Sequence, residues 1–202
     1  MAPYVRDSQD SLKARLPDAA DSPKPAVERP EPSHKQTFGT LDGKAAAISH
    51  VAQPVAQGEH PQLVHRVALT DGGEALQQQR LDQLPTFTLV LDIIHATEYL
   101  CEAANACWGE TAAQRLPWGQ PALSWLLDNR LDTLLNHLDA QAIALPPAQQ
   151  LTLARVSAYL RRNRPFMDYP RYLAQDWPLD TGLVEGACRH LVKDPFEQAG
   201  RR

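Results

Sequence analysis

The sequence predicts an α/β fold, on three observations. Two short β-rich runs, residues 63–70 and 87–91, each stop at an aspartate. A stretch of helical period lies between them, and a long run of helical period, residues 97–165, follows the second. A strand, a helix and a second strand in that order is the unit from which parallel sheets are built.

The elements follow in order. Residues 1–36 carry six prolines, six Lys/Arg and six Asp/Glu. Proline blocks helix and ladder hydrogen bonding and balanced charge leaves little to bury, so this segment reads as a Pro-rich disordered arm. Gln36-Thr37-Phe38-Gly39-Thr40-Leu41 alternates apolar and polar residues, which predicts a short strand stopping at Asp42-Gly43. The stretch after it, containing Pro54, Gly58 and Pro61, reads as a loop. Leu63-Val64-His65-Arg66-Val67-Ala68-Leu69-Thr70 reads as a strand that ends at Asp71-Gly72-Gly73. Ala75, Leu76, Leu81 and Leu84 recur at helical spacing among glutamines, and Pro85 ends that helix. Phe87-Thr88-Leu89-Val90-Leu91 is apolar on both faces, as strands of parallel or mixed sheets are, and stops at Asp92.

Beyond His95 the period changes. Residues 97–108 read as a helix. Trp125, Leu126, Leu127, Leu131, Leu134, Leu135 and Leu138 form one apolar stripe. Leu151, Leu153, Val156 and Leu160 form another, and Pro146-Pro147 separates the two. A last helix is expected over residues 183–192, after the turn at Asp180-Thr181-Gly182. The expected organisation is therefore an arm (1–36), a strand–helix–strand core (37–96), a helical insertion (97–165) and a C-terminal segment (166–202).

Composition sets outer limits. At 202 residues, with 43% hydrophobic and 22% charged residues, the chain has room for one ordinary core and is not wholly disordered. A net charge of −4 and a pI near 6.0 exclude a histone-like binder but allow a local basic patch. No apolar run approaches membrane-helix length, and Met1-Ala2-Pro3-Tyr4-Val5-Arg6-Asp7 is not a secretory signal, so no membrane association is expected. Cys101, Cys107 and Cys188 are odd in number and lack a CxxC, which points to a reducing cytoplasm rather than a disulfide framework.

Four groups of residues invite chemistry. Asp71 ends a strand and is followed by two glycines, which suits a carboxylate turned into a cleft and equally suits a simple turn. Asp92 and His95 flank a strand-to-helix junction, where the residues alone favour a helix cap and a first-turn histidine. Glu185 lies in Gly182-Leu183-Val184-Glu185-Gly186-Ala187-Cys188-Arg189-His190, at a helix position that favours an acid, with Arg189 four residues on. Gly186 beside it weakens a helix and would permit close approach. Arg155, Arg161, Arg162, Arg164 and Arg171 make the one basic cluster, either a solvated face or a phosphate contact. Cysteine and histidine spacings do not suit zinc, and the four tryptophans read as core.

Several of these blocks together resemble a family. Val67-Ala68-Leu69-Thr70-Asp71-Gly72-Gly73-Glu74-Ala75-Leu76, then Leu89-Val90-Leu91-Asp92-Ile93-Ile94-His95-Ala96-Thr97-Glu98-Tyr99-Leu100, then Tyr159-Leu160-Arg161-Arg162-Asn163-Arg164-Pro165-Phe166-Met167, then residues 181–194 resemble the central and late blocks of bacterial insertion-sequence transposases of the ISKra group. The resemblance spans about residues 30–200 and includes Pro32-Ser33-His34-Lys35. It implies a DDE transposase with a ribonuclease H-like core, the helices forming an insertion between the second and third acids. It further implies Asp71 as the second acid and Glu185 as the third, both catalytic and both metal ligands, with Asp92 and His95 as accessories. Two Mg2+ or Mn2+ ions would take part, cations that prefer carboxylate oxygen. The partner would be DNA at the transposon ends, held by Arg161, Arg162, Arg164 and Lys193, with self-association or assembly with an intact transposase as further partnerships.

The chain also departs from that pattern. The family's first catalytic aspartate lies on an upstream strand, and Asp7, Asp10, Asp18 and Asp21 all sit in polar, proline-spotted sequence. Pro195 interrupts the helix expected to carry Glu185. The ribonuclease H-like core is therefore expected to be incomplete and the chain to be a truncated transposase, inactive alone and poorly soluble. Two other readings compete: a non-catalytic DNA-binding or regulatory remnant of a transposase, and an unrelated α+β interaction domain in which Asp71 is a turn and Glu185 a cap.

Overall fold

The computed structural model describes residues 40–57 and 64–180. Among them, seven α-helices and one two-stranded sheet follow one another. Helix α1 (Lys44–Gln57) precedes strand β1 (Val67–Thr70), helix α2 (Glu74–Gln83) and strand β2 (Thr88–Leu91). Then come α3 (Ile93–Trp108), α4 (Arg115–Leu127), α5 (Leu131–Ala142), α6 (Pro147–Asn163), a 3-10 turn (Arg164–Phe166) and α7 (Tyr169–Ala174). The described chain is thus mostly helical around a small parallel sheet, a mixed α/β arrangement.

The two strands run parallel, with Val67 opposite Thr88 and Thr70 opposite Leu91. Parallel neighbours need a crossover, and α2 supplies it. Backbone bonds extend the pairing at both ends: the Thr88 amide donates to the Arg66 carbonyl and the Asp92 amide to the Thr70 carbonyl, each at 2.8 Å. Pro85 stops α2 as expected, and Arg80 then secures the connection. Its buried guanidinium donates to the carbonyls of Leu84 (3.1 Å) and Phe87 (2.8 Å).

Burial explains why the helices stay together. Val90 and Leu91 are fully enclosed, and they share one apolar cluster with Ala96, Leu100, Leu123, Leu127, Leu134, Leu138, Val156, Leu160 and Leu179. Helix α3 packs on both α4 and α6, α5 packs on both α4 and α6, and the sheet closes one side. Sheet and helices therefore have a common core, and α3 runs unbroken across position 96. The first stripe behaves as its period predicts: Leu126, Leu127, Leu131, Leu134, Leu135 and Leu138 are buried and Trp125 half-buried. In the second, Leu153, Val156 and Leu160 are buried, but Leu151 is 72% exposed. The inward face of α6 runs instead through Leu153, Val156, Ser157, Tyr159, Leu160 and Asn163, and Leu151 falls outside it.

Other elements also differ from expectation. The stretch read as a loop because of its prolines is largely α1. Gly43, at φ +89, turns the chain in, and Ala45-Ala46-Ala47-Ile48 propagates the helix. Pro54 falls in the last turn, where the missing amide removes one rung rather than breaking the element. Thr40 and Leu41 are not in a strand, and Leu41 is fully exposed. The strand expected over residues 63–70 is shorter, beginning at Val67, with Val64 82% exposed. The arm (1–36) and the helix expected over residues 183–192 lie outside the described residues.

Candidate functional site

Because Thr70 stands opposite Leu91, the next residues, Asp71 and Asp92, emerge at the same edge of the sheet. In α/β folds this carboxyl-end rim is where ligands gather. Their fates diverge: Asp71 is exposed, whereas Asp92 is completely buried.

Asp71 closes a turn and still faces solvent. Its Oδ1 accepts from the Gly73 amide at 2.8 Å, and the Gly72 amide donates to Thr70 Oγ1 at 3.2 Å. Gly72 has φ +84, and a Cβ built on it would lie 2.7 Å from both Cε2 and Oη of Tyr159. Backbone conformation and space together require glycine here. Asp71 thus forms the turn, and its side chain stays exposed.

Two side chains of α6 hold the turn from the other side. Tyr159 Oη donates to the Asp71 carbonyl at 2.9 Å, and Arg162 Nη2 donates to the Gly72 carbonyl at 2.8 Å. The Tyr159 ring stacks on Tyr99 at 3.6 Å between centroids and 10° between planes. The Arg162 guanidinium lies 5.7 Å from the Tyr159 ring centre, a cation–π geometry. Burial, followed by the neighbouring Tyr99, Asp71 and Asp92, pushes the Tyr159 hydroxyl well above its ordinary pKa, against a smaller opposing effect of Arg162. It stays protonated and able to donate.

Asp92 works as a cap. Its Oδ1 accepts from the Ile94 amide at 2.7 Å, placing a carboxylate at the N-terminus of α3. Around it, the Ile93 amide donates to the Leu179 carbonyl at 2.9 Å, and the buried Tyr169 hydroxyl donates to the Leu91 carbonyl at 3.2 Å. His95, half-buried in the first turn of α3, has Nδ1 2.9 Å from Glu98 Oε2.

The arginine run divides. Arg161 pairs with Asp139 at 3.2 Å, and Arg164 grips Asp132 with two bonds of 2.9 and 2.7 Å, both tying α6 to α5. The Arg164 bonds hold the Asp132 carboxyl below the ordinary aspartate range. Arg155 pairs with Glu102 of α3, and Arg171 lies over Trp177. Of the three arginines named as DNA contacts, Arg162 alone reaches the Asp71 turn.

Asp71 has the chemistry of a magnesium or manganese ligand: an exposed hard oxygen donor at a strand end. Asp92 has one oxygen committed to the α3 N-terminus. Among the described residues, no three His, Cys, Asp or Glu side chains are grouped to hold a metal. Glu185 and Lys193 lie outside the described residues. Sequence reasoning missed Tyr159, Tyr99, and the buried bond from Gln77 Nε2 to Asn163 Oδ1 (2.7 Å) that ties α2 to α6. A signal existed: positions 159, 162 and 163 share a helix face, so a tyrosine, an arginine and an asparagine there point the same way.

Among the described residues, no helix is long and apolar enough to cross a membrane. Comparison with models of known protein families, with curated proteins and with solved structures gives no match to this chain.

Proposed function

We propose that this chain is part of a DDE transposase: a DNA-binding protein whose β1–β2 rim descends from a divalent-metal site for phosphodiester chemistry. One observation carries the reading. An exposed acid, Asp71, ends a strand of a parallel strand–helix–strand unit, and the cationic Arg162 lies against the carbonyl of the very next residue. An exposed carboxylate, with a guanidinium bonded to the carbonyl of the following residue, would suit a metal-bridged phosphate: one would bind the cation, the other the phosphate oxygens. The proposed core is ribonuclease H-like, with Glu185 as the third acid.

In this reading Asp71 is a metal ligand and Arg162 holds and orients a DNA phosphate. Mg2+ or Mn2+, when bound, would activate the attacking water or 3′-hydroxyl and stabilise the leaving oxygen. Tyr159 fixes the turn, and Asp92 secures the start of α3. Arg161 and Arg164 already have carboxylate partners and would contact DNA only after giving them up.

Alone, the chain is expected to be inactive, because Asp7, Asp10, Asp18 and Asp21 all sit in polar, proline-spotted sequence and none suits the strand-borne first acid. The test is to incubate the full chain with insertion-sequence ends and Mn2+ and look for nicking. No nicking together with salt-sensitive binding of the ends supports the proposal. Efficient cleavage that is lost in Asp71→Ala overturns the inactivity, and no DNA binding at low salt overturns the whole reading.

The commitment of Asp92 to a helix cap favours a second reading, a non-catalytic DNA-binding or regulatory remnant that acts by mixed assembly with an intact transposase. DNA binding that survives Asp71→Ala and Glu185→Ala, yet weakens with rising salt, distinguishes it.

A further inference from the structure

The two edges of the sheet differ. On the β2 side, the 3-10 turn packs on the strand, and the Tyr169 hydroxyl donates to the Leu91 carbonyl at 3.2 Å. On the other side, β1 pairs with β2 alone among the described residues. The Arg66 and Thr70 carbonyls accept from β2 and its flank, so residues 66, 68 and 70 turn their backbone groups inward. Direction alternates along a strand, so the N–H and C=O groups of Val67 and Leu69 point out of the β1 edge. Nothing in Val67-Ala68-Leu69-Thr70 blunts that edge: it has no charge and no proline. Just upstream, Val64 is 82% exposed and His65 is exposed. Two strands alone are marginal in water, and an open edge is a template for another strand.

We infer that β1 is a self-association surface whose occupant is β1 of a second copy, running antiparallel across a twofold axis at Ala68. In that register Val67 and Leu69 exchange backbone hydrogen bonds with the partner's Leu69 and Val67, and the sheet becomes four-stranded. The exposed His65 of each copy then lies opposite the exposed Asp71 of the other, a base against an acid at both ends. An axis at Val67 or at Leu69 would also match the outward backbone groups, but it sets His65 opposite Leu69 or Gly73. Charge complementarity therefore selects Ala68. Because the contact is isologous, each copy uses its only such edge and assembly stops at two. The pairing depends on β1 and its flanks alone and is independent of any DNA or metal chemistry.

The experiment is sedimentation equilibrium of the full chain over a broad concentration range, with amide hydrogen exchange measured at both ends of that range. A reversible monomer–dimer equilibrium without larger species is expected. Val67→Pro removes an outward amide and leaves the bonds to β2 in place, so it is expected to weaken dimerisation at least tenfold. His65→Asp sets like charges opposite each other and is expected to weaken it at least threefold, whereas His65→Lys should stay within twofold. A thermal melt checks that each variant is folded. Should Val67→Pro not fold, exchange in the unaltered chain decides. The Val67 and Leu69 amides are expected to gain at least tenfold protection at high concentration, and the Gly109 amide, at the end of α3, to stay within twofold. A monomer at every concentration, species beyond the dimer, or a dimer indifferent to Val67→Pro or His65→Asp overturns the inference, as does unchanged protection of Val67 and Leu69.

Discussion

Gln77 and Asn163, 86 residues apart, meet side chain to side chain in a buried hydrogen bond of 2.7 Å that locks α2 to α6. Gln77 is 5% exposed and Asn163 fully enclosed. Removing one partner strands the other away from water, which costs about 1–3 kcal/mol. Asn163→Ala is therefore expected to lose about that much in chemical denaturation. A double-mutant cycle with Gln77→Ala should return a coupling of at least about 0.5 kcal/mol. Additive single losses would mean that the pair does not act as one.

Glycine 72 and glycine 109 offer a controlled comparison. Both have positive φ, +84 and +86, but only Gly72 faces a ring at 2.7 Å, while the space around Gly109 is open. Gly109→Ala is expected to cost about 1 kcal/mol from backbone strain alone. Gly72→Ala should cost at least about 2 kcal/mol, because Tyr159 or the turn must also move. Equal losses would contradict the close contact of α6 with the turn.

Core and surface leucines of α6 should separate sharply. Leu160 is fully buried and Leu151 is 72% exposed. Leu160→Ala is expected to destabilise by about 2–5 kcal/mol, and Leu151→Ala by less than about 0.5 kcal/mol. Denaturant midpoints measured at a constant slope are sufficient to check this.

The Asp132–Arg164 pair has a pH signature. The two hydrogen bonds from Arg164 depress the Asp132 carboxyl in the folded protein. A carboxyl depressed on folding stabilises above its unfolded pKa, about 3.9, and that contribution disappears as pH falls through the lower folded value. Carboxyl-carbon NMR should place the Asp132 midpoint below the ordinary range, and Arg164→Gln should return it there. A normal midpoint in the unaltered protein would mean that the pair does not persist in solution.

Local patterns were legible in the sequence where one interaction dominates. The β-rich run before Asp92, the stop at Pro85 and the leucine stripe of α5 each follow from periodicity or from one covalent constraint. Helix α1 was not legible, because Pro54 signals a break while the alanines before it favour helix, and packing against α2 decides between them. Leu151 was placed in a stripe by chemistry, but the inward face of α6 is set by what α3 and α5 offer it. At the rim, the sequence leaves the Asp71 turn and site readings both open, and the structure shows the turn. The grip of Tyr159 on Asp71 depends on the meeting of elements 88 residues apart, which no local pattern encodes. The arginine cluster looked uniform as a string, and only the positions of Asp132, Asp139 and Gly72 sort it into scaffold and rim.

The proposed metal site has Asp71 and Glu185 sharing a divalent cation. The most direct measurement is Mn2+-induced broadening of the amides of Gly72 and Gly186 in one titration of the intact chain. Both signals are expected to broaden with a single dissociation constant, and either Asp71→Ala or Glu185→Ala is expected to abolish both effects together. Broadening at one position without the other, or two independent constants, would contradict it.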